Sequence, residues 1–346
     1  MNEKQNHSQR VSRLSPFAQL MTYIAGKTYT HVISVAAELG IADFLADGPK
    51  SVDELSNATK THAPSLYRIL RVLDRMGIFS EVYSQVFSLT EASEFLKTDS
   101  PFSVKDWAIL NGSEWHSRSW MNLLYSVKTG RPSFWDIYQM KGFEYFQKNQ
   151  EDYEVLSNAM TFFSRGQARR IVSCYNFSNF RTIVDVGGGH GYLLAAILKN
   201  NASLQGILFE LPEVVDGARE TMEKEKLLDR CKILGGDFFH SVPKGADAYI
   251  MKYIMHDWSD DNARIILQHC RESIAPNGKL LVVDKIISLK SGLNDEIMGD
   301  IEMMILGEGR ERTESEFREL LDSAGFKLTR IIPTDLPLFI IEGECV

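Results

Sequence analysis

The sequence is poor in cysteine, and its four cysteines lie far apart. Cys174, Cys231, Cys270 and Cys345 form no C-x-x-C pair. This spacing is typical of free thiols in a reducing compartment. We therefore expect a cytoplasmic protein without disulfide bonds.

Long apolar runs are also missing. Nothing in the sequence approaches the ~18 consecutive apolar residues of a membrane span, so we expect no association with a membrane. The first ten residues, MNEKQNHSQR, are polar and lack the apolar stretch of a signal peptide. We expect them to be disordered.

A chain of 346 residues suits two domains.

An excess of positive charge is missing as well. The formal net charge is −8, which does not attract nucleic acid or anionic membranes. Arg68, Arg71 and Arg75 fall on one face of a predicted helix, where a DNA-binding protein carries its reading residues. Asp74 and Glu81 interrupt that charge. We therefore favour a solvated face and expect no nucleic-acid partner.

The first 105 residues predict a mainly helical domain. Ser15-Pro16 predicts a helix start, and the segment from Phe17 to Ala37 is apolar on more than one face. Such a helix is buried on more than one side. Either a partner subunit covers it, which would make the protein a homodimer, or its own domain does.

A winged-helix-like unit is predicted next. Ser51 to Glu54 fits a capping box, and a second helix carries leucines at helical spacing before Gly77. Residues 79–90 alternate as a small hairpin does. Two helices followed by a hairpin are typical of a winged helix.

The remainder predicts a helical linker over 106–175 and an α/β domain over 176–346. The linker is rich in aromatic residues. From Arg181, short β-rich runs alternate with helical patterns, which predicts a doubly wound parallel sheet, and the last stretch fits a closing hairpin at one sheet edge. The expected fold class is α/β, with a Rossmann-like sheet behind a helical domain.

A glycine-rich loop follows the first strand of that sheet, in Val184-Asp-Val-Gly-Gly-Gly-His-Gly-Tyr192. Glycines there let the backbone bend and let a ligand approach its N–H groups. The nicotinamide fingerprint requires glycine or alanine at position 192, where this chain has tyrosine. Asp185 at the start of the loop suits a cationic amino-acid ligand better than a pyrophosphate, because a carboxylate repels phosphates.

The next two strand ends carry features of an adenosine site. Glu210 ends the second strand, where a carboxylate can accept both hydroxyls of a ribose. The third strand ends in Gly236-Asp237-Phe238, which offers a carboxylate to an adenine amine and an aromatic face to its ring. All three strand ends lie at the carboxyl edge, where open α/β sheets bind ligands.

The fourth strand runs into Lys252-Tyr-Ile-Met-His256-Asp257-Trp258. A histidine at the carboxyl end of a strand, facing the cleft, is well placed for a general base. The His-Asp pair also fits a metal site or a satisfied polar corner. No second His or Cys lies at ligand spacing, and His240 and His269 are badly placed for a shared site, so we expect no metal.

These motifs together resemble a known family. The runs VDVGGGHG, FELPEVV, GGDFF, MKYIMHDWSDDNA and GEGRERTESEF look like the plant caffeic-acid and flavonoid O-methyltransferases and their bacterial relatives, which act on phenazine, anthracycline and similar aromatic metabolites. The resemblance covers essentially the whole chain. It implies S-adenosylmethionine as cofactor, S-adenosylhomocysteine as product, a dimerisation domain in front, and a small aromatic acceptor.

The resemblance also assigns residues. It makes His256 the catalytic base, flanked by Asp284 and Glu311. The cofactor contacts it carries over are Ser164, Gly187, Gly189, Glu210, Asp237, Phe238 and Lys252, and we add Asp185, Leu211, Gly236 and Trp258 from the same motifs. Glu210 stands where many relatives have Asp, and residues 301–306 depart from the plant pattern, which indicates a different acceptor shape or polarity.

An acceptor pocket lined by apolar and aromatic residues is expected in addition. Each candidate fits the protein core equally well. The candidates are Trp107, Met160, Phe163, Met255, Met303 and Leu306.

Three other functions stay open at this point. A nucleotide-binding oxidoreductase is disfavoured by Tyr192, and a ligand-responsive winged-helix regulator is disfavoured by the net charge. The third is the same fold used for another S-adenosylmethionine reaction. Thermal shift with NAD or S-adenosylhomocysteine, salt-dependent DNA binding, and a methyl-transfer assay discriminate among them.

Overall fold

The computed structural model describes residues 15–288 and 295–346. The ten N-terminal residues that we expected to be disordered lie outside this range. The chain divides into two compact units, with the boundary after Ser113. The helix Lys105–Gly112 belongs to the first unit, so the expected helical linker over 106–175 is divided between the two units.

The first unit is helical with a small antiparallel sheet. Its strand order is β1-β3-β2, with two helices packed beside it, and this is the expected winged-helix-like arrangement. The elements are α1 (Pro16–Glu38), α2 (Ile41–Phe44), β1 (Lys50–Ser51), α3 (Val52–Thr59), α4 (Ala63–Arg75), β2 (Phe79–Tyr83), β3 (Val86–Leu89), a 3₁₀ turn (Ser93–Leu96) and α5 (Lys105–Gly112).

Local sequence signals explain the helix starts in this unit. The Ser15 hydroxyl accepts from the backbone N–H of Ala18, and Pro16 is the first helical residue of α1. Ser51 and Glu54 form the predicted capping box at α3. At the other end of the unit, α5 packs against α1, and a Cβ at Gly112 would overlap the Ser34 side chain.

Helix α1 is buried at one end and exposed at the other. Ala36 and Ala37, near its C-terminus, pack into the core of the first unit. The N-terminal half leaves large apolar side chains exposed within this chain. These are Phe17, Leu20, Met21, Tyr23 and Ile24.

The second unit begins with helices and continues as an α/β sheet. Its helical part comprises α6 (Glu114–Met121), α7 (Leu123–Thr129), α8 (Ser133–Tyr138), α9 (Gly142–Lys148) and α10 (Gln150–Cys174). A 3₁₀ turn (Phe177–Asn179) leads into β4 (Thr182–Val186), α11 (Tyr192–Asn200), β5 (Gln205–Glu210), α12 (Val215–Lys224), β6 (Cys231–Gly235) and β7 (Ala248–Lys252). The chain ends with a 3₁₀ turn (Met255–Asp257), α13 (Asp260–Ser273), β8 (Lys279–Asp284), α14 (Asp295–Leu306), α15 (Glu314–Ser323), β9 (Phe326–Pro333) and β10 (Phe339–Cys345).

The sheet has the strand order β6-β5-β4-β7-β8-β10-β9. Strands β4 to β8 are parallel, and β9 and β10 form the antiparallel closing hairpin. Successive residues of β4 pack alternately into two hydrophobic clusters, Val184 and Val186 in one and Ile183 in the other. Helices therefore cover both faces, and the expected doubly wound fold is confirmed.

The order of the strands locates the ligand crevice. From β4 the chain proceeds outward to β5 and β6, and then returns to the other side of β4 as β7. Open α/β sheets bind ligands at such a switch point, outside the carboxyl ends of the strands. The residues discussed below follow those ends.

Candidate active site

The glycine loop between β4 and α11 is tight on one side and open on the other. Gly187, Gly189 and Gly191 have φ angles of 68°, 54° and 80°, in the left-handed region that favours glycine. A Cβ at Gly191 would lie 2.7 Å from atoms of Leu208 and Met222, whereas a Cβ at Gly189 would meet nothing within 4 Å. The open side at Gly189 is where a ligand can approach the backbone.

Glu210 at the end of β5 is joined to this loop. Its Oε2 accepts from the backbone N–H of Gly189 at 2.8 Å, and its Oε1 accepts from that of Leu211 at 2.7 Å. Burial raises the pKa of this carboxyl. A carboxylate offers about four acceptor sites, so capacity remains for the hydroxyls of a ribose.

Asp185 and Lys252 form a buried pair of opposite charges beneath the loop. Burial raises the pKa of Asp185 to about 7 and lowers that of Lys252 to about 8, against the attraction between the two groups. Asp185 is only 2% exposed, and a Cβ at Gly188 would meet its carboxylate at 2.9 Å. The expectation that Asp185 meets a cationic ligand directly is therefore corrected, since the carboxylate lies behind the loop.

The expected adenine side is rich in aromatic rings. Phe238 and Trp258 pack edge to face with centroids 6.0 Å apart, and Phe239 packs against both. Asp237 accepts from the backbone N–H of Phe239 at 2.8 Å and remains partly exposed. Gly236 packs on Phe209, because a Cβ there would lie 2.5 Å from the ring.

The fit to S-adenosylmethionine rests on this donor set. The backbone at Gly189 has open space beside it, Glu210 retains free acceptor sites, and Asp237 is a partly exposed carboxylate beside the aromatic rings. Carboxylates and an aromatic wall suit a nucleoside attached to a cationic group.

The candidate base lies on the 3₁₀ turn after β7. Nδ1 of His256 is 3.2 Å from Glu311 Oε1, with hydrogen-bond geometry, and 3.6 Å from Asp284 Oδ1. The backbone N–H of His256 donates to Asp284 Oδ2 at 3.3 Å. Asp257 Oδ1 lies 3.4 Å from Nε2. Both predicted acidic partners thus lie beside the imidazole, and Glu311 is the one that bonds its ring.

These carboxylates control the protonation of the histidine. Burial alone disfavours an imidazolium, but the charges of Asp284, Asp257 and Glu311 outweigh it and raise the pKa of His256 to about 9. Burial raises the pKa of Asp284 to about 6. Glu311 keeps a lowered pKa despite its burial, because His256 bonds to it and Lys285 lies 3.6 Å away.

The same three side chains also satisfy a geometric condition for a metal site. One ligand atom from each of His256, Asp284 and Glu311 lies within 4.8 Å of the others. The sequence argument against a metal counted only His and Cys as companions of His256, and carboxylates are suitable ligands too. A chelator therefore belongs in the functional test.

Sequence reasoning missed the groups that hold this turn in place. Arg312 is fully buried and donates to the carbonyls of Met255 and Trp258 at 2.5 and 2.8 Å and to Asp260. Gly309 lies against the backbone of residues 256 and 257, where a Cβ would overlap. Gly309 and Arg312 both belong to the GRERTE run, in which the sequence analysis assigned a role only to Glu311.

Tyr253 is a further unpredicted neighbour of the base. Its ring stacks on the His256 imidazole with centroids 5.2 Å apart and an interplanar angle of 19°. Its φ angle is 58°, which is uncommon for a residue with a side chain. Gln167 donates to its hydroxyl at 2.9 Å, and the Lys252 ammonium lies 4.3 Å from its ring centroid.

The acceptor candidates lie on several different elements. Met255 is fully buried in the core, so its assignment to the pocket is wrong. Met303 and Leu306 lie on α14 and are partly exposed, and Met160 is exposed on α10, which also carries Ser164. The side chain of Phe163 lies outside the described part, and Trp107 is on α5 of the first unit.

Known proteins match both parts of the chain. Residues 120–327 match the profile of the O-methyltransferase domain, and residues 21–99 match that of the O-methyltransferase dimerisation domain. The chain is 37% identical to the phenazine O-methyltransferase PhzM of Lysobacter antibioticus, covering 94% of this chain and 95% of that protein.

Solved structures agree with the sequence comparison. The mitomycin 7-O-methyltransferase MmcR superposes with a TM-score of 0.90 at 34% identity, over 95% of this chain and 98% of that one. The O-methyltransferase NcsB1 of neocarzinostatin biosynthesis, solved with S-adenosylmethionine and 2-hydroxy-5-methyl naphthoic acid, superposes with a TM-score of 0.82 at 27% identity, over 96% of this chain and 100% of that one.

In the part of the chain that the structure describes, no helix has the length and apolar character needed to cross a membrane.

Proposed function

This chain belongs to the O-methyltransferase family, and on that basis we propose that it methylates a hydroxyl of a small aromatic metabolite with His256 as the general base. The enzyme is an S-adenosylmethionine-dependent O-methyltransferase. The observation that carries the proposal is the hydrogen bond between His256 Nδ1 and Glu311 at the carboxyl edge of the sheet.

The bond to Glu311 sets the role of the imidazole. A proton held on Nδ1 between two carboxylates leaves Nε2 as the nitrogen that accepts a proton from the acceptor. The imidazolium that forms is stabilised by Glu311 and Asp284. S-adenosylmethionine, when bound, supplies a methyl group already activated by the sulfonium.

The raised pKa reduces the cost of deprotonating the acceptor. A phenol resembles tyrosine, with a pKa of about 10, against about 6.5 for an ordinary histidine, a gap that costs about 5 kcal/mol. With the pKa of His256 at about 9, the gap for the neutral imidazole is about one pKa unit, or roughly 1.4 kcal/mol. At pH 7 the imidazole must first lose its own proton, which costs about two pKa units, or roughly 2.7 kcal/mol, so most of the saving appears only at higher pH. Correct positioning of the reacting groups can supply about 7–11 kcal/mol, so positioning is the larger contribution.

The remaining residues bind the cofactor. We assign Gly187, Gly189 and Lys252 to its amino-acid part, Glu210 and Leu211 to the ribose, and Gly236, Asp237, Phe238 and Trp258 to the adenine, with Ser164 reaching the loop from α10. Asp185 acts indirectly, by holding Lys252 and the loop. The open side at Gly189 and the acceptor capacity of Glu210 support these roles.

The acceptor class follows from the relatives. PhzM is named for phenazine, MmcR for mitomycin, and NcsB1 was solved with a hydroxynaphthoic acid. We infer that this enzyme also takes a fused or substituted aromatic hydroxyl compound, with Met303 and Leu306 beside it.

We also infer the oligomeric state of the enzyme, its location and the absence of a nucleic-acid partner. The dimerisation domain and the exposed apolar half of α1 support a homodimer. The four cysteines are free, which supports a cytoplasmic location. Arg71 on α4 lies over the ring of Tyr67, 5.0 Å from its centroid, and the formal net charge of −8 supports the absence of a nucleic-acid partner.

A methyl-transfer assay tests the proposal. The enzyme is incubated with methyl-labelled S-adenosylmethionine and a panel of phenols, catechols and hydroxyquinones, with and without a chelator. Label in an O-methyl product, unaffected by the chelator, is the expected result. Activity that disappears with the chelator would contradict the metal-free mechanism, and no transfer to any panel member would contradict the proposed function.

A further inference from the structure

A carboxylate on α14 is held in place by side chains other than the three catalytic ones. Glu302 Oε1 lies 2.7 Å from His116 Nε2, and its Oε2 accepts from the indole N–H of Trp120 at 2.8 Å. His116 and Trp120 both lie on α6, far away in the sequence. The carboxylate is therefore fixed by two aromatic side chains, and nothing in the proposed mechanism uses it.

Glu302 lies one helical turn from Gly299, the point at which α14 approaches the catalytic carboxylates. A Cβ at Gly299 would lie 2.9 Å from Glu311 Oε1 and 2.8 Å from Lys285 Nζ, so α14 approaches the catalytic carboxylates at this point. Residues three apart in a helix lie on the same side, about 5–6 Å from one another. Glu302 is therefore on the side of α14 that faces Glu311, one helical turn further along the helix.

The carboxylate keeps capacity for a ligand. Each oxygen has one protein partner, whereas a carboxylate has about four acceptor sites. The Glu302 side chain is 22% exposed, against 6% for His116. Two apolar residues of the same helix are partly exposed: Met303, next in the sequence, and Leu306, one turn further on. The surroundings thus combine an apolar surface for a ring with one fixed negative charge.

We propose that Glu302 binds a nitrogen donor on the acceptor, either an amine or a protonated ring nitrogen. This inference rests on the proposed function and specifies its substrate class as nitrogen-bearing aromatic hydroxyl compounds. A carboxylate accepts N–H donors and attracts positive charge, and it repels an acidic substituent at the same place. Glu302 is then a specificity residue, and His116 and Trp120 position it.

Matched acceptors test the inference. We compare 3- and 4-hydroxybenzylamine, which are cationic at neutral pH, with the corresponding hydroxybenzyl alcohols, which have nearly the same shape. The wild-type enzyme is expected to prefer the amine in kcat/KM by about tenfold for at least one isomer, the range of a hydrogen bond to a charged group. In Glu302→Gln the preference is expected to fall to near one, with turnover of the alcohol changed by less than about threefold.

A remote carboxylate supplies the control. Glu342 on β10 accepts from the Tyr175 hydroxyl at 2.6 Å and from Thr329 at 2.8 Å, and Glu342→Gln is expected to leave the amine preference unchanged. An equal fall in kcat/KM for the amine and the alcohol in Glu302→Gln would show that Glu302 has only a structural role and would overturn the inference. A wild-type enzyme without amine preference overturns it too, whether or not the variant folds. Failure of the whole aromatic panel would instead remove the proposed function.

Discussion

Glu311 Oε1 bonds the inner nitrogen of His256 at 3.2 Å, and the backbone N–H of Glu311 donates in turn to Asp300 Oδ1 at 3.0 Å. The glutamate is thus fixed at its side chain and its main chain. A buried hydrogen-bonded carboxylate of this kind holds an imidazole in one tautomer and one orientation.

Replacement of His256 should greatly slow methyl transfer and leave S-adenosylhomocysteine binding intact. In His256→Ala, turnover is expected to fall by about 10²–10⁴-fold, the usual contribution of general base catalysis. Affinity for S-adenosylhomocysteine, measured by calorimetry, should stay within about threefold. His62→Ala, at an exposed histidine that bonds Ser65 in the first unit, is the control. Near-normal turnover in His256→Ala would exclude His256 from the mechanism.

The pH profile should follow the carboxylates. The neutral imidazole is the active form, so wild-type kcat/KM is expected to rise with pH up to about 9, the raised pKa of His256. Glu311→Gln removes a negative charge that favours the imidazolium, so the midpoint of the profile should move to lower pH while kcat falls. An unchanged midpoint would contradict this. Binding of S-adenosylhomocysteine over the same pH range separates any effect of Lys252.

Two glycines in one loop should respond differently to alanine. Gly191→Ala would meet Leu208 and Met222 as well as an unfavourable φ, and is expected to lower the melting temperature most. Gly189→Ala meets no protein atom, so it should cost only about 1 kcal/mol from its φ angle but weaken S-adenosylmethionine binding at least about tenfold. Equal effects of the two variants on binding would contradict the assignment of the open side.

The buried charge of Asp185 should make stability depend on pH. Its pKa is about 7 when folded, against 3.8 normally, so the folded protein binds the proton more tightly and loses stability as pH rises between those values. Asparagine does not titrate. The melting temperature of Asp185→Asn minus that of the wild type should therefore increase as pH rises across that window, by about 2–4 °C per kcal/mol. A difference that does not depend on pH would contradict this.

Asp247→Asn is the matched control for this experiment. The Asp247 carboxylate accepts from two backbone N–H groups, those of Arg181 and Thr182. Loss of these bonds should lower the melting temperature throughout the pH range. Asp185→Asn should also weaken binding of S-adenosylmethionine, because Lys252 loses its opposite charge.

Charges on α1 should separate the subunits. Leu20 and Ile24 are 57% and 62% exposed within one chain, and burial of such side chains in an interface is favourable. Leu20→Glu with Ile24→Glu is expected to give a monomer by light scattering coupled to size exclusion. Tyr83→Glu, on the equally exposed hairpin β2–β3, should stay dimeric. A dimer in the α1 double variant would place the interface elsewhere.

The sequence predicted the sheet and its functional edge because parallel strands leave a regular pattern. Each buried run ends at a glycine or a charged residue, and all these ends meet at one edge. The glycine loop, Glu210 and Asp237 could therefore be placed together from the strand pattern, and the family resemblance added Lys252 and Asp284. The alternation of β-rich runs with helical patterns predicted the order of elements in the same way.

The remaining contacts depend on packing that the local sequence does not encode. Arg312 is 54 residues from Trp258, whose carbonyl it binds, and no periodicity links the two. Met255 is in a strongly apolar neighbourhood, and only the 3₁₀ turn decides that it points into the core while His256 points outward. The depth of Asp185 beneath the glycines is likewise a property of three-dimensional packing.

The short stretch from Lys252 to His256 limits how this enzyme can change. Tyr253 turns the backbone in a left-handed conformation between the two and touches both side chains. A change at Tyr253 therefore disturbs the lysine and the histidine together. Adaptation to a new acceptor, in nature or in the laboratory, has a freer path through Met303 and Leu306 of α14, because Gly299 and Asp300 of the same helix contact Glu311.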